Sequence, residues 1–142
     1  MISAVLDTNV LVSGTVTASN SPGKILDYWL AGQFELVVSI HIIDEIKRTL
    51  QKPYFRDKLT FEAIAEFIDL LQNEATVIPI TILVNNVATH PEDDLVIAAA
   101  VSGQVDYLVT GDGPLLRKVG NSYKGVKLVT PSDFLQILNQ QS

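Results

Sequence analysis

Four acids stand out by where they fall in this 142-residue chain: Asp7 at the end of an apolar run, Glu45 within IIDEIKRTL, Asp94 opening LVIAAAVS, and Asp112 just after YLVTG. If the segments that carry them converge, four carboxylates repel one another unless cations neutralise them. The chain has no cysteine, so a metal must sit on oxygen, or on His41 and His90. An oxygen-rich donor set selects magnesium or manganese over zinc. Such ions lower the pKa of bound water, polarise a phosphoryl oxygen and steady a leaving oxygen, which is the chemistry of phosphodiester hydrolysis. Each acid alone also fits a local role. Asp7 with Thr8 and Asn9 can form a hydrogen-bonded turn, Asp94 and Asp112 can cap helices, and Glu45 beside Asp44 and Lys47 can be solvated. His41 reads as packing at a helix start and His90 as lining a loop.

The elements that must position these acids can be read from apolar periodicity and punctuation. Residues 2–6 read as a buried first strand ending at Asp7. Ser21 and Pro22 predict an N-cap and first turn for a helix to Ala31, closed by Gly32. Residues 34–38 give a second strand. Ser39 caps a helix with Ile43, Ile46 and Leu50 at helical spacing, which ends before Pro53 and carries Glu45. A third helix, 60–73, has Phe61, Ile64, Ile68 and Leu71 on one stripe, and 76–80 is a third strand. After a loop around Asn85 and Asn86 comes a helix over 92–102, apolar nearly all round and therefore buried. Residues 107–110 give a fourth strand, 115–119 a short helix and 126–129 a fifth strand. Thr130 and Pro131 open a last helix through Leu138. Short apolar strands alternating with helices predict an α/β fold, a three-layer α/β/α sandwich around a mostly parallel five-stranded sheet. In such sheets ligands bind beyond the carboxyl ends of the strands, where the winding reverses, and Asp7 and Asp112 both fall at that edge. The reversal requires strands one and four to be neighbours.

Hydrophobic residues make up 47% and charged residues 18% of the chain, the profile of one folded domain spanning residues 1–142. The absence of cysteine excludes disulfide staples, thiolate zinc sites and cysteine nucleophiles. The amino-terminal segment lacks the basic start of a secretory signal, and no apolar run approaches the roughly 20 residues that span a bilayer. A reducing cytoplasmic setting with no membrane is the simplest expectation. The net charge of −6 argues against broad adhesion to a polyanion. Five of the ten basic residues, Lys47, Arg48, Lys52, Arg56 and Lys58, nevertheless cluster in one stretch, a candidate set of RNA phosphate contacts or simply a solvated surface. No Gly-rich run ends in Lys-Ser or Lys-Thr, so a P-loop is absent. Asn9 replaces the second aspartate that a haloacid-type phosphatase needs, and the third strand lacks the acceptor acid of a phosphotransfer receiver.

VLDTNVLVSG, Glu45 in IIDEIKRTL, HPEDDLVIAAAVSGQVDYLVTGD and the closing LVTPSDFLQIL together resemble the PIN-domain family over nearly the whole chain. Within it the chain looks most like the stand-alone prokaryotic toxins of toxin-antitoxin pairs, the VapC-type ribonucleases. The resemblance implies a Mg2+- or Mn2+-dependent endoribonuclease, strand order 3-2-1-4-5, a cognate antitoxin protein and a homodimer. It places the metal and catalytic acids at Asp7, Glu45, Asp94 and Asp112, with Asp93 competing for the third place. Asp94 is preferred because Ile97 and Ala98 follow it at three and four residues, as in the family pattern. Thr8, Asn9, Ser13 and Thr110 match supporting positions. One departure is Pro114, where many relatives carry a further aspartate, and it keeps open a catalytically weak module that binds RNA or a protein partner without cutting.

Overall fold

The aliphatic run after Ile2 forms β1 (Ser3–Leu6), in which Ala4, Val5 and Leu6 are closed off from solvent on both faces. The computed structural model, which describes residues 1–141, sets this strand at the middle of a sheet with β2 (Glu35–Ser39), β3 (Thr76–Ile78), β4 (Tyr107–Val109), β5 (Ser122–Tyr123) and β6 (Val126–Val129). The order is β3-β2-β1-β4-β6-β5. All pairings are parallel except that of β5 with β6. The expected five-strand order is thus present, with β5 added at the edge. That two-residue strand was not legible as an element. It exists as half of a hairpin whose turn residues Lys124 and Gly125 both take positive φ, 47° and 86°, the conformation that matches the twist of paired strands.

Eight helices complete the described residues: α1 (Thr8–Val16), α2 (Ser21–Leu30), α3 (Ile40–Leu50), α4 (Pro53–Arg56), α5 (Phe61–Glu74), α6 (Pro91–Ser102), α7 (Gly113–Val119) and α8 (Pro131–Gln140). Helices α1, α2, α3, α5 and α8 pack on one another as a layer, and α6 lies against β1, β2 and β4. Helix α6 is buried nearly all round, as its composition predicts. On the α5 stripe Ile64, Ile68 and Leu71 are buried, whereas Phe61 at the first turn is 64% exposed. Helix α1 was not foreseen. Its sequence TNVLVSGTV is rich in β-branched residues with a glycine, a poor helix former on propensity. It is stabilised instead by the Asp7 cap and by burying Val10, Leu11 and Val12. The cap of α2 is Asn20 and not Ser21: the Asn20 Oδ1 accepts the Gly23 amide at 2.8 Å.

The turn from α1 into α2 is possible because two glycines sit where the helices meet. A Cβ on Gly14 would lie 2.6 Å from Leu26 Cδ1, and one on Gly23 would lie 2.2 Å from the Thr17 carbonyl oxygen. The first clash is with a movable side-chain end and the second is with backbone. Gly23→Ala is therefore expected to destabilise the fold by about 3 kcal/mol, at the upper end for overpacking, and Gly14→Ala by less. Chemical denaturation of the two variants side by side checks the ranking.

Candidate active site

The chain leaves β1 toward β2 and β3 on one side and leaves β4 toward β6 on the other, so the winding reverses between the adjacent carboxyl ends of β1 and β4. Asp7 is the residue that follows β1, and its amide bonds the Val109 carbonyl at 2.9 Å, the last rung of the β1–β4 ladder. Its carboxylate does two jobs. Oδ1 accepts the Asn9 amide at 3.3 Å and caps α1, while Oδ2 accepts the Thr110 hydroxyl at 2.8 Å. The local cap and a place in a converging site are thus compatible. Asp7 is only 7% exposed, and burial pushes its pKa up against the opposing effect of the Thr110 and Asn9 hydrogen bonds, with the Asp112 charge adding to the rise.

Thr110 links the two strand ends. It is fully buried, accepts the Asp112 amide at 3.1 Å and spends its only proton on Asp7. Asp112 in turn caps α7, its Oδ1 accepting the Leu115 amide at 3.1 Å. Oδ2 makes no hydrogen bond among the described residues. Asp7, Asn9, Ser13 and Asp112 line a shared cleft of about 330 Å³ with Pro22, Gly111 and Pro131. Pro114 occupies the first turn of α7, where a missing amide costs nothing.

The acidic pair at the start of α6 divides its labour in the opposite sense to the sequence preference. Asp94 is buried, and its Oδ1 and Oδ2 together accept the amides of Asn86, Val87 and Ala88 at 2.7–3.2 Å. It clasps the 79–90 segment onto α6, where Asn86 takes a left-handed φ of 59°. Asp93 is half-buried beside it. Its pKa is raised first by partial burial and then by the charges of Asp7, Asp112 and Glu45, with His90 opposing. The Asp94 carboxylate, preferred from the sequence for the third place, is thus engaged by backbone amides.

Glu45 on α3 contributes to that field, and its Oε2 lies 3.4 Å from His41 Nε2. The separate packing role read for His41 therefore gives way to a pairing with Glu45. Glu45 Oε2 and Thr8 Oγ1 are buried without a hydrogen-bond partner among the described residues. Ser13 accepts the Asn20 side-chain amide at 3.2 Å and bonds none of the acids. Among the described residues no lysine or arginine pairs with Asp7, Asp93 or Asp112, and no three acids or histidines are drawn together tightly enough to enclose an ion. The acids offer oxygen donors, and among the described residues only Glu45 has a basic side chain paired with it, His41. That chemistry fits a hard divalent cation, which would have to draw the acids inward. Lys47, Arg48, Lys52 and Lys58 are exposed and Arg56 is half-buried, outside the cleft.

The sequence profile of the PIN domain matches residues 3–113. The chain belongs to the PIN-domain family. No characterised protein of the curated set matches it. Among solved structures, PAE2754 from Pyrobaculum aerophilum superposes with a TM-score of 0.66 at 18% identity, covering 99% of this chain and 91% of that one. VapBC2 from Rickettsia felis, solved with a DNA fragment from its promoter, gives 0.59 at 15% identity, covering 91% and 98%. FitAcB from Neisseria gonorrhoeae gives 0.58 at 15%, again covering 91% and 98%. These likenesses concern the fold. No helix among the described residues of this PIN domain is long and apolar enough to cross a membrane.

The raised acids of this PIN domain set the sign of its pH dependence. Asp7 and Asp93 bind protons more tightly folded than at the ordinary value of 3.8, so their contribution to stability is complete below that pH and is lost as pH rises through the raised folded values. In chelator, Asp7→Asn or Asp93→Asn is expected to raise the melting temperature at neutral pH and to flatten its fall between mildly acidic and neutral pH. Asp94→Ala is expected to cost on the order of 2–3 kcal/mol, because it strands backbone amides that a carboxylate satisfied. Circular-dichroism melts of the three variants across pH separate the roles, and equal destabilisation by Asp93→Asn and Asp94→Ala would contradict the division drawn here.

Proposed function

We propose that this PIN domain is a Mg2+- or Mn2+-dependent endoribonuclease whose centre comprises Asp7, Asp93 and Asp112, with Glu45 beside them. The observation that carries the reading is the placing of Asp7 and Asp112 at the adjacent carboxyl ends of β1 and β4, joined through the Thr110 hydroxyl and lining one cleft. Asp7, Asp93 and Glu45 would hold one divalent ion, and Asp112, with Oδ2 unspent, would hold or orient a second. A bound ion supplies charge neutralisation at the phosphoryl group and a lowered pKa for its water. Thr110 fixes the Asp7 carboxylate, Asp94 fixes the start of the helix that carries Asp93, and the closed strands beneath exclude bulk water. Attack by water on phosphorus, with departure of the ribose 3′-oxygen, leaves a 5′-phosphate and a 3′-hydroxyl. Lys47, Arg48, Lys52, Arg56 and Lys58 are the basic side chains available to RNA phosphates.

The family resemblance and the fold shared with VapBC2 support a cellular role as the toxin of a toxin-antitoxin pair, with a cognate antitoxin protein and a homodimeric assembly. A second reading, RNA or protein binding without cleavage, is favoured by Pro114 in the first turn of α7, where relatives supply another acid, and by the spread of the acids.

Purified protein with manganese is expected to cut single-stranded RNA, leaving 5′-phosphate ends. Asp7→Asn should abolish cutting, and Thr110→Val should lower it about 10- to 100-fold through the lost support of Asp7. Cyclic 2′,3′-phosphate products would overturn the mechanism, and wild type indistinguishable from Asp7→Asn would leave the binding reading in its place.

A further inference from the structure

The turn between α3 and α5 carries two large aromatic side chains that the core does not use. Tyr54 on α4 is 59% exposed and Phe61 at the start of α5 is 64% exposed. Neither ring is loose. Tyr54 meets the half-buried Phe55 edge-on, with centroids 5.0 Å apart. The Arg56 guanidinium lies 3.5 Å from the Phe61 centroid and is itself held by the Gln51 side-chain oxygen at 3.0 Å. The Lys58 ammonium sits 4.2 Å over Tyr54. Each exposed ring is therefore paired with a cation, and Lys47, Arg48 and Lys52 extend the basic surface beside them. Half of the basic residues of a chain of net charge −6 are concentrated here, against Asp57 and Glu62.

We propose that Tyr54 and Phe61, with Arg56 and Lys58, form a stacking platform for unpaired bases of single-stranded RNA. A ring that is exposed, oriented and flanked by cations suits a strand whose bases stack while its phosphates are neutralised. Helix α3 connects the platform to the acids: about 8 Å of helix separates Glu45 from Leu50, and α4 follows within three residues. The platform rests on the ribonuclease reading for its biological use and stands or falls separately in the test.

The test is fluorescence-anisotropy titration of a labelled single-stranded RNA, and of an abasic strand of equal length, into Asp7→Asn protein with magnesium. Tyr54→Leu and Phe61→Leu are each expected to weaken RNA binding about tenfold or more, to leave abasic-strand binding unchanged, and to leave the melting temperature of the variants unaltered. Arg56→Lys should retain the salt dependence and lose part of the base preference. Equal losses on RNA and abasic strands, or no loss on RNA, overturn the proposal. So does a change of oligomeric state in the variants without RNA, which would assign the surface to a second copy. RNA cleavage by wild type with both rings dispensable removes the platform and leaves the ribonuclease; base-dependent binding without any cleavage does the reverse.

Discussion

A buried carboxylate at the reversal of a parallel sheet is the constraint around which this molecule is arranged. Asp7 follows the most enclosed strand of the fold, where an ion is costly. It is tolerated because three separate parts of the chain address it: the α1 amides at one oxygen, the Thr110 hydroxyl at the other, and the β4 backbone at its amide. None of these partners carries a charge. The carboxylate is oriented without being neutralised, and burial leaves its pKa raised.

The same economy recurs around it. Asp112 caps α7 with one oxygen and keeps the other, and Thr110 joins both acids through a single hydroxyl. On α6 two adjacent acids split two duties that one could not perform. Asp94 turns inward to satisfy three backbone amides of an irregular segment, and Asp93 keeps a half-buried carboxylate whose pKa is raised by burial and by the charges of Asp7 and Asp112. Structural capping and participation in an acidic centre are therefore not rival accounts of these residues. Capping holds Asp7 and Asp112 at the strand ends, since each cap satisfies a helix end that would otherwise lose stability.

Much of this was legible in the sequence, for identifiable reasons. The cap at Ser39, the opening of the last helix at Thr130 and the apolar α6 follow local rules of hydrogen bonding and periodicity that hold wherever the segment sits. Helix α1 escaped because its residues favour extended structure and only burial against α2 and α3 makes it helical. The β5 strand escaped because two residues carry no periodicity and acquire their conformation from the partner strand. Phe61 fell on the expected stripe but lies at the helix end, beyond the neighbour that covers Ile64 and Ile68.

By itself the sequence determined most element types, the parallel sheet and the presence of acids at strand ends and helix starts, because these depend on side-chain period and on cap chemistry within a few residues. Only the tertiary structure decided which acids meet. Successive residues on a helix point about 100° apart, so Asp93 and Asp94 diverge, and which of them faces the other acids depends on how α6 is rotated against β1 and β4. That rotation is set by packing of residues far apart in the chain, and it is what turns the Asp94 carboxylate onto the amides of Asn86, Val87 and Ala88.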